Sequence, residues 1–178
     1  DMARERHDAP VVLLALSGPR GDVPDPLMVV LEMLWSRGST VVVAAGNHDD
    51  GELASPGWDP FLLTAGALGA DDTVPDWSGR GDIDLGDGLG WSKPDVVAPG
   101  VSVVGLRAPG STIDRKHRDA RVDGQYCLGT GTSMAAAHVA GAAAAVLAEN
   151  GSLAPDAVKG LLMATARGIE GEAAGRGA

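Results

Sequence analysis

Two continuous apolar runs, Val11 to Leu16 (V-V-L-L-A-L) and Thr40 to Ala45 (T-V-V-V-A-A), flank a segment of helical periodicity, and that alternation admits few folds. Neither run alternates polar with apolar residues, as a strand with one wet face would. Both therefore read as strands buried on both faces. Between them, Asp25-Pro26 offers a helix N-cap followed by proline at the first helical position. Leu27, Val30, Leu31, Leu34 and Trp35 then recur at helical spacing, and Gly38 ends the segment. Strand, helix, strand reads as a right-handed crossover onto a parallel sheet, which places the chain in the α/β class. Ligands of such sheets sit beyond the carboxyl ends of the strands, so Ser17-Gly18 and Gly46-Asn47 are expected on one functional edge.

Farther along, Phe61 to Leu68 reads as a third strand, Val96 to Ala98 and Val101 to Leu106 as short strands around Pro99-Gly100, and Tyr126 to Leu128 as a brief strand. His48 to Pro60 and Asp71 to Lys93 are rich in Asp, Gly and Pro and read as loops. In the second loop Asp82, Asp84 and Asp87 put three carboxylates into six residues, which could wrap a hard cation. The spacing does not fit a helix-loop-helix calcium loop, and a solvated acidic turn is expected. Ala108 to Gly124 mixes Arg115, Lys116, His117, Arg118 and Arg121 with Asp114, Asp119 and Asp123, as a solvated surface insertion does. Pro155 to Ala166, with Val158, Leu161, Leu162 and Met163 apolar, is a closing helix, and 168–178 reads as a tail or the start of an extension.

A chain of 178 residues that is 44% hydrophobic can bury one sizeable core, so one domain or part of a larger one is expected, with its core at about 11–166. The net charge of -10, with 14 basic residues in no stripe with aromatics, argues against a nucleic-acid partner. A single cysteine, Cys127, forms no intrachain disulfide and leaves the redox compartment undecided. The longest apolar run, Val139 to Ala148, is too short to span a bilayer and reads as a buried helix, and no membrane partner is expected. Asp1 to Asp8 is charged and has no targeting character.

The chemistry gathers in Gly129 to Gly141, a glycine- and threonine-rich turn that runs into small helix-tolerant residues. The helix is expected to start at or just before Ser133 and to stop at Asn150-Gly151, a pair suited to a left-handed cap. A hydroxyl at a helix start is either an N-cap or a nucleophile beside backbone N–H groups without intrahelical partners. Acyl transfer needs a nucleophile, a base and donors aimed at the developing oxyanion. Ser133 could supply the nucleophile and one donor, its own N–H. The side-chain amide of Asn47, just past a buried strand, could supply another. The G-x-S-x-G elbow of α/β-hydrolases is not met, because Ala135 stands at its last position.

Gly131-Thr132-Ser133-Met134-Ala135 with His138-Val139-Ala140-Gly141, Ala44-Ala45-Gly46-Asn47 after a valine strand, and Lys93-Pro94-Asp95-Val96-Val97-Ala98-Pro99-Gly100 together resemble the subtilisin-like serine proteases. The resemblance spans Val11 to Ala166. It implies a three-layer, doubly wound, mostly parallel sheet of subtilisin-like type, incomplete at its amino-terminal side. It also implies a secreted or cell-surface endopeptidase acting on peptides or proteins. Ser133 then looks like the nucleophile and Asn47 like the oxyanion donor. Ala15-Leu16-Ser17-Gly18 resembles the segment that pairs with substrate backbone as an added strand, and Ala44-Ala45-Gly46 the facing pocket wall, with Thr132 also on the substrate side. No cofactor is implied for the chemistry. Structural calcium is possible, since calcium is common in the family, but the ligands it would take lie in the missing portion or do not match here.

Two departures stand out. Ala137 takes the place of the family's usual proline, and nothing among the 132 residues before Ser133 matches the D-[ST]-G or H-G-T motifs. The Asp and His of the triad are thus expected on an amino-terminal portion outside this chain. Among local histidines, His138 points about 140° around the helix from Ser133 and is expected to be a packed, hydrogen-bonded core residue. His7 has no motif context, His117 lies in the insertion, and His48 borders the site edge beside Asp49 and Asp50. The rival readings are a non-catalytic subtilase-like module for peptide binding or interaction, and an acidic scaffold in which Ser133 only caps a helix.

Overall fold

In the computed structural model, residues 9–21 and 25–169 are described; His7 and residues 170–178 of the expected tail lie outside them. In chain order the elements are β1 (Val11–Leu14), α1 (Pro26–Ser36), β2 (Thr40–Ala44), β3 (Leu63–Leu68), β4 (Gly81–Gly86), β5 (Leu89–Lys93), β6 (Val96–Pro99), β7 (Val103–Leu106), α2 (Thr112–Lys116), a 3₁₀ turn (Arg118–Ala120), β8 (Tyr126–Gly129), α3 (Thr132–Glu149) and α4 (Pro155–Thr165).

Strands β1, β2, β3 and β6 form one parallel sheet in that order, with Val11 opposite Thr40, Ala44 opposite Ala65, and Ala65 opposite Val96. Alternate side chains of a strand face opposite sides, and the core divides accordingly. Val41, Val43 and Leu62 pack on Leu31 and Leu34 of α1. Val42, Ala44, Leu63 and Ala65 pack on Ala135, Ala136 and Val139 of α3, with Leu162 and Met163 of α4 alongside. Helix, sheet, helix is the three-layer α/β arrangement expected from the sequence. Helix α1 starts as read: the Asp25 side chain accepts from the Met28 N–H at 3.0 Å, and Pro26 follows at the first helical position.

Several expectations need correction. β1 ends at Leu14 and is half-buried, not buried on both faces, because among the described residues no strand flanks its outer edge; Leu13 is 41% exposed. The predicted loop over Asp71 to Lys93 contains the antiparallel hairpin β4–β5. Its turn residues Asp87 and Gly88 both have positive φ, 54° and 77°, as a tight hairpin turn requires. The acidic residues serve that hairpin: Asp82 accepts from the Ser92 hydroxyl and Asp84 from the Gly86 N–H. The insertion between β7 and β8 is organised around Asp114, whose largely covered carboxylate accepts from Arg107 Nε at 2.6 Å and Arg121 Nε at 2.8 Å.

Helix α3 is amphipathic rather than buried. Ala135, Ala136, Val139, Ala143 and Leu147 face the sheet, while Ala137, Gly141 and Ala144 are exposed. Small side chains on both faces hide this division from a hydropathy reading. At 18 residues, α3 is the one helix among those described that is long and apolar enough to cross a membrane; its inner stripe is packed on the sheet. It does not end in a left-handed cap, since Asn150 has φ -145°.

Candidate active site

The amino-terminal end of α3 lies at the carboxyl-terminal edge of the sheet, held there by two glycines. Gly131 has φ +150°, a conformation L side chains rarely adopt, and its N–H donates to Gly100 O at 2.8 Å. Gly100, at the end of the Lys93 to Gly100 motif, admits no side chain, because a Cβ there would stand 2.5 Å from Ala67 Cβ. The motif thus carries the close approach that seats α3.

Thr132 is the first residue of α3, so Ser133 is the second and is not the N-cap. The cap comes from across the sheet. Asn47 Oδ1 accepts from the Thr132 N–H at 2.8 Å and from its hydroxyl at 3.0 Å, and Thr132 Oγ1 in turn accepts from the Gly46 N–H at 3.1 Å. This fixes the Asn47 amide: a backbone N–H can only donate, so the atom facing it is oxygen. The –NH₂ group consequently faces away from Thr132, and Asn47 is exposed. The N–H of Ser133 belongs to the first helical turn, whose donors have no intrahelical acceptors.

Ser133 Oγ donates to Ala15 O at 3.1 Å, and no histidine among the described residues hydrogen-bonds to it. His138 corrects the core expectation. Its Nδ1 donates to Met134 O at 2.9 Å, one turn back, but the side chain is exposed because position 138 lies off the sheet-facing stripe. It lines an apolar groove of about 320 Å³ with Val97, Ala142, Leu162 and Thr165. His48 is exposed, and Asp50 is occupied by the Glu52 N–H.

The two expected substrate-side segments also meet α3. Strands β1 and β2 pair as far as Leu14 and Val43 and then part. Ala15, Leu16 and Ser17 are exposed on one side of the resulting slot, and Ala44, Ala45 and Gly46 form the other, buried side. The far ends of both sides are tied to Ala54 and Ser55: Gly18 and Ser55 exchange backbone hydrogen bonds at 2.9 and 3.0 Å, and the Ala54 N–H donates to Ala45 O at 2.9 Å. Ser55 Oγ donates to Asp25 Oδ2. That hydroxyl is the main cause holding the Asp25 carboxyl below its ordinary range, with the Met28 N–H adding to it against partial desolvation. The sequence reading found Asp25 only as a cap and missed Ala54 and Ser55, which sit in a polar loop without a periodic signal. Among the described residues no three His, Cys, Asp or Glu side chains converge.

The Subtilase family (Peptidase S8) matches residues 16–177, nearly the whole chain. The chain belongs to the subtilases. It is 44% identical over 147 residues to serine protease AprX of Bacillus subtilis, an alignment covering 78% of this chain and 32% of AprX. It is 32% identical over 160 residues to subtilisin E of the same organism, covering 88% and 35% of the two chains. In three dimensions it matches a cold adapted subtilisin-like serine proteinase with a TM-score of 0.69 at 27% identity, covering 94% of this chain and 52% of that one. This subtilase chain therefore spans about a third of the length of the curated relatives it matches, and the sheet described above is that of a subtilisin-like fold.

Proposed function

We propose that this chain is the carboxyl-terminal portion of a serine endopeptidase domain, whose amino-terminal portion carries the Asp and His of the triad. Ser133 attacks the peptide carbonyl while the absent His takes its proton; the scissile C–N bond then breaks as His passes that proton to the leaving amine, and water hydrolyses the resulting acyl-enzyme. The Ser133 N–H and the Asn47 amide stabilise the oxyanion. Substrate backbone lies along Ala15 to Gly18 as an added strand, and the side chain preceding the scissile bond enters the slot against Ala44 to Gly46. Apart from water, the steps use protein groups alone. Secretion or cell-surface display fits a protease of this family.

The observation that carries the reading is the Asn47–Thr132 contact. It gives the amide oxygen to Thr132, the residue before Ser133, and so leaves the –NH₂ pointing away from the Thr132 N–H and available as a donor. In this chain Ser133 hydrogen-bonds a backbone carbonyl, and a serine without a base is a weak nucleophile, so the chain by itself is expected to be inert. A fluorophosphonate probe tests this directly. Full-length protein should be labelled at Ser133 and the Ser133→Ala variant should not, while the 178-residue chain alone should react slowly. Rapid stoichiometric labelling of the chain alone would overturn the missing base and direct attention to His48. Full-length protein that binds peptides but resists the probe would instead be a peptide-binding module.

A further inference from the structure

Helix α1 meets the loop that leads into β3 through two carboxyl groups. Asp59 is fully buried. Its Oδ1 accepts from the Phe61 N–H at 2.8 Å and from the Leu62 N–H at 3.1 Å, while its Oδ2 is covered and receives no donor from any described residue. The half-buried Glu32 carboxyl of α1 lies within hydrogen-bonding reach of Asp59. The helix explains that placement. Glu32 stands one turn before Trp35, whose ring centroid is 4.5 Å from that of Phe61, and its neighbour Leu31 packs with Leu62.

The charged groups of the surrounding elements are engaged elsewhere. Lys159 of α4 commits its Nζ to Pro60 O, Leu62 O and Asp95, and Lys93 at the end of β5 commits its Nζ to Leu62 O and Asp95. Asp156 of α4 accepts from Trp35 Nε1. Arg20 lies over the Trp58 ring, and the buried Trp58 Nε1 does not donate to Asp59. On α1 itself, Asp25 is held two turns earlier by Ser55 and the Met28 N–H, and Arg37 is at the C-cap, more than a turn beyond Glu32. Two ionised carboxylates facing each other here would repel and would leave Oδ2 unsatisfied. One proton between them removes both costs.

We propose that Glu32 and Asp59 share one proton, the Glu32 carboxyl donating to Asp59 Oδ2, and that this bond is a latch between α1 and the start of β3 that opens as pH rises. Burial is the main cause that raises the Glu32 carboxyl above its ordinary value, with the hydrogen bond and charge of Asp59 adding to it. The folded chain therefore keeps a proton that the unfolded chain gives up at about pH 4.3. Stability from the latch is fully present below that ordinary value and is lost as pH rises through the higher, folded one. Opening frees one side of α1 without unfolding the sheet, and it does not depend on the protease reading.

The test is amide hydrogen exchange of the full-length protein from about pH 4 to pH 8. Protection of α1 is read relative to β2, which cancels changes in global stability. Wild-type α1 should lose protection several-fold across the range. Glu32→Gln, whose amide donates to Asp59 at every pH, should keep the acid-state protection throughout. Asp59→Asn keeps an acceptor for the Phe61 and Leu62 N–H groups and offers its –NH₂ to the ionised Glu32, so its profile should also be flat. Carbon NMR titration of the Glu32 carboxyl in the wild type needs no variant and should give a value above the ordinary one. A flat wild-type profile, a Glu32→Gln variant with the wild-type slope, or an ordinary Glu32 titration would each overturn the latch.

Discussion

At the scale of single residues, the site depends on an amide whose orientation is dictated by its neighbours. Because Asn47 Oδ1 is claimed twice by Thr132, the –NH₂ cannot rotate inward without leaving the Thr132 N–H unpaired, which costs about 1–3 kcal/mol. Preorganisation of this kind acts on charge that develops only in the transition state. Under the proposed mechanism, Asn47→Ala in the full-length protein is expected to lower kcat by about 10²- to 10³-fold while KM changes little. Steady-state kinetics on one peptide checks it; an unchanged kcat would remove Asn47 from the mechanism. Ser133 and Asn47 were both legible in the sequence, one from its glycine-flanked helix start and the other from its place after a valine strand. That one caps the other's helix was not, because the partners are 85 residues apart and no local pattern encodes such a pairing.

Elements were legible where a period or a cap signal marked them. Asp25-Pro26 announced α1, and the unbroken valines of β2 announced a central strand. The hairpin β4–β5 was missed although Asp87-Gly88 is a strong turn signal, since its flanking acidic residues and glycines dilute the alternation around Ile83 and Trp91. The 108–124 insertion was read as solvated, yet its ion cluster gives it a fixed shape. Arg107 is the main cause that holds the Asp114 carboxyl far below the usual carboxylate range, joined by the Gly110 N–H and Arg121. A carboxyl depressed in the folded state contributes stability above its ordinary unfolded value, lost only as pH falls through the lower, folded value. The insertion should thus resist limited proteolysis from pH 7 down to about pH 4. Asp114→Asn should be nicked within 108–124 at both ends of that range; equal resistance of the variant would show that the cluster is ornamental.

The whole chain carries two features that no segment shows alone. One is an open edge: among the described residues no strand pairs with the outer side of β1, and Leu13 on it, Leu16 just after it, and Val29, Val30 and Met33 on α1 are exposed. Such surfaces recruit other chains, so the isolated 178-residue chain is expected to self-associate, and Leu13→Lys should reduce that, as read by sedimentation or light scattering. The other is a buried charge cluster joining β3, β5 and α4. Lys93 Nζ, almost fully buried, donates to Asp95 Oδ2 at 2.7 Å and to Leu62 O, while Lys159 Nζ lies 3.0 Å from Asp95 Oδ1. Burial pushes the Lys93 ammonium down to about 7, against the pull of Asp95 and with the help of Lys159. Above that value the folded chain has released a proton that the unfolded chain keeps to about 10.4, so the unfolded state binds more protons and stability rises with pH across this window. Urea midpoints should increase from pH 7 to pH 9, and Lys93→Met should flatten the slope; an unchanged slope would place the titration elsewhere. The parallel order of the sheet was readable from strand, helix, strand, whereas both of these features depend on which side chains end up without water.

The long reach between Asn47 and Thr132 also has a consequence in time. Contacts of such separation close late, after the strands and helix that carry them have met. During synthesis Asn47 emerges well before Thr132 exists, and Ser133 is at first an ordinary hydroxyl on an unanchored segment. The end of the sheet that carries Ser133 is thus completed only once the sheet beneath it is in place.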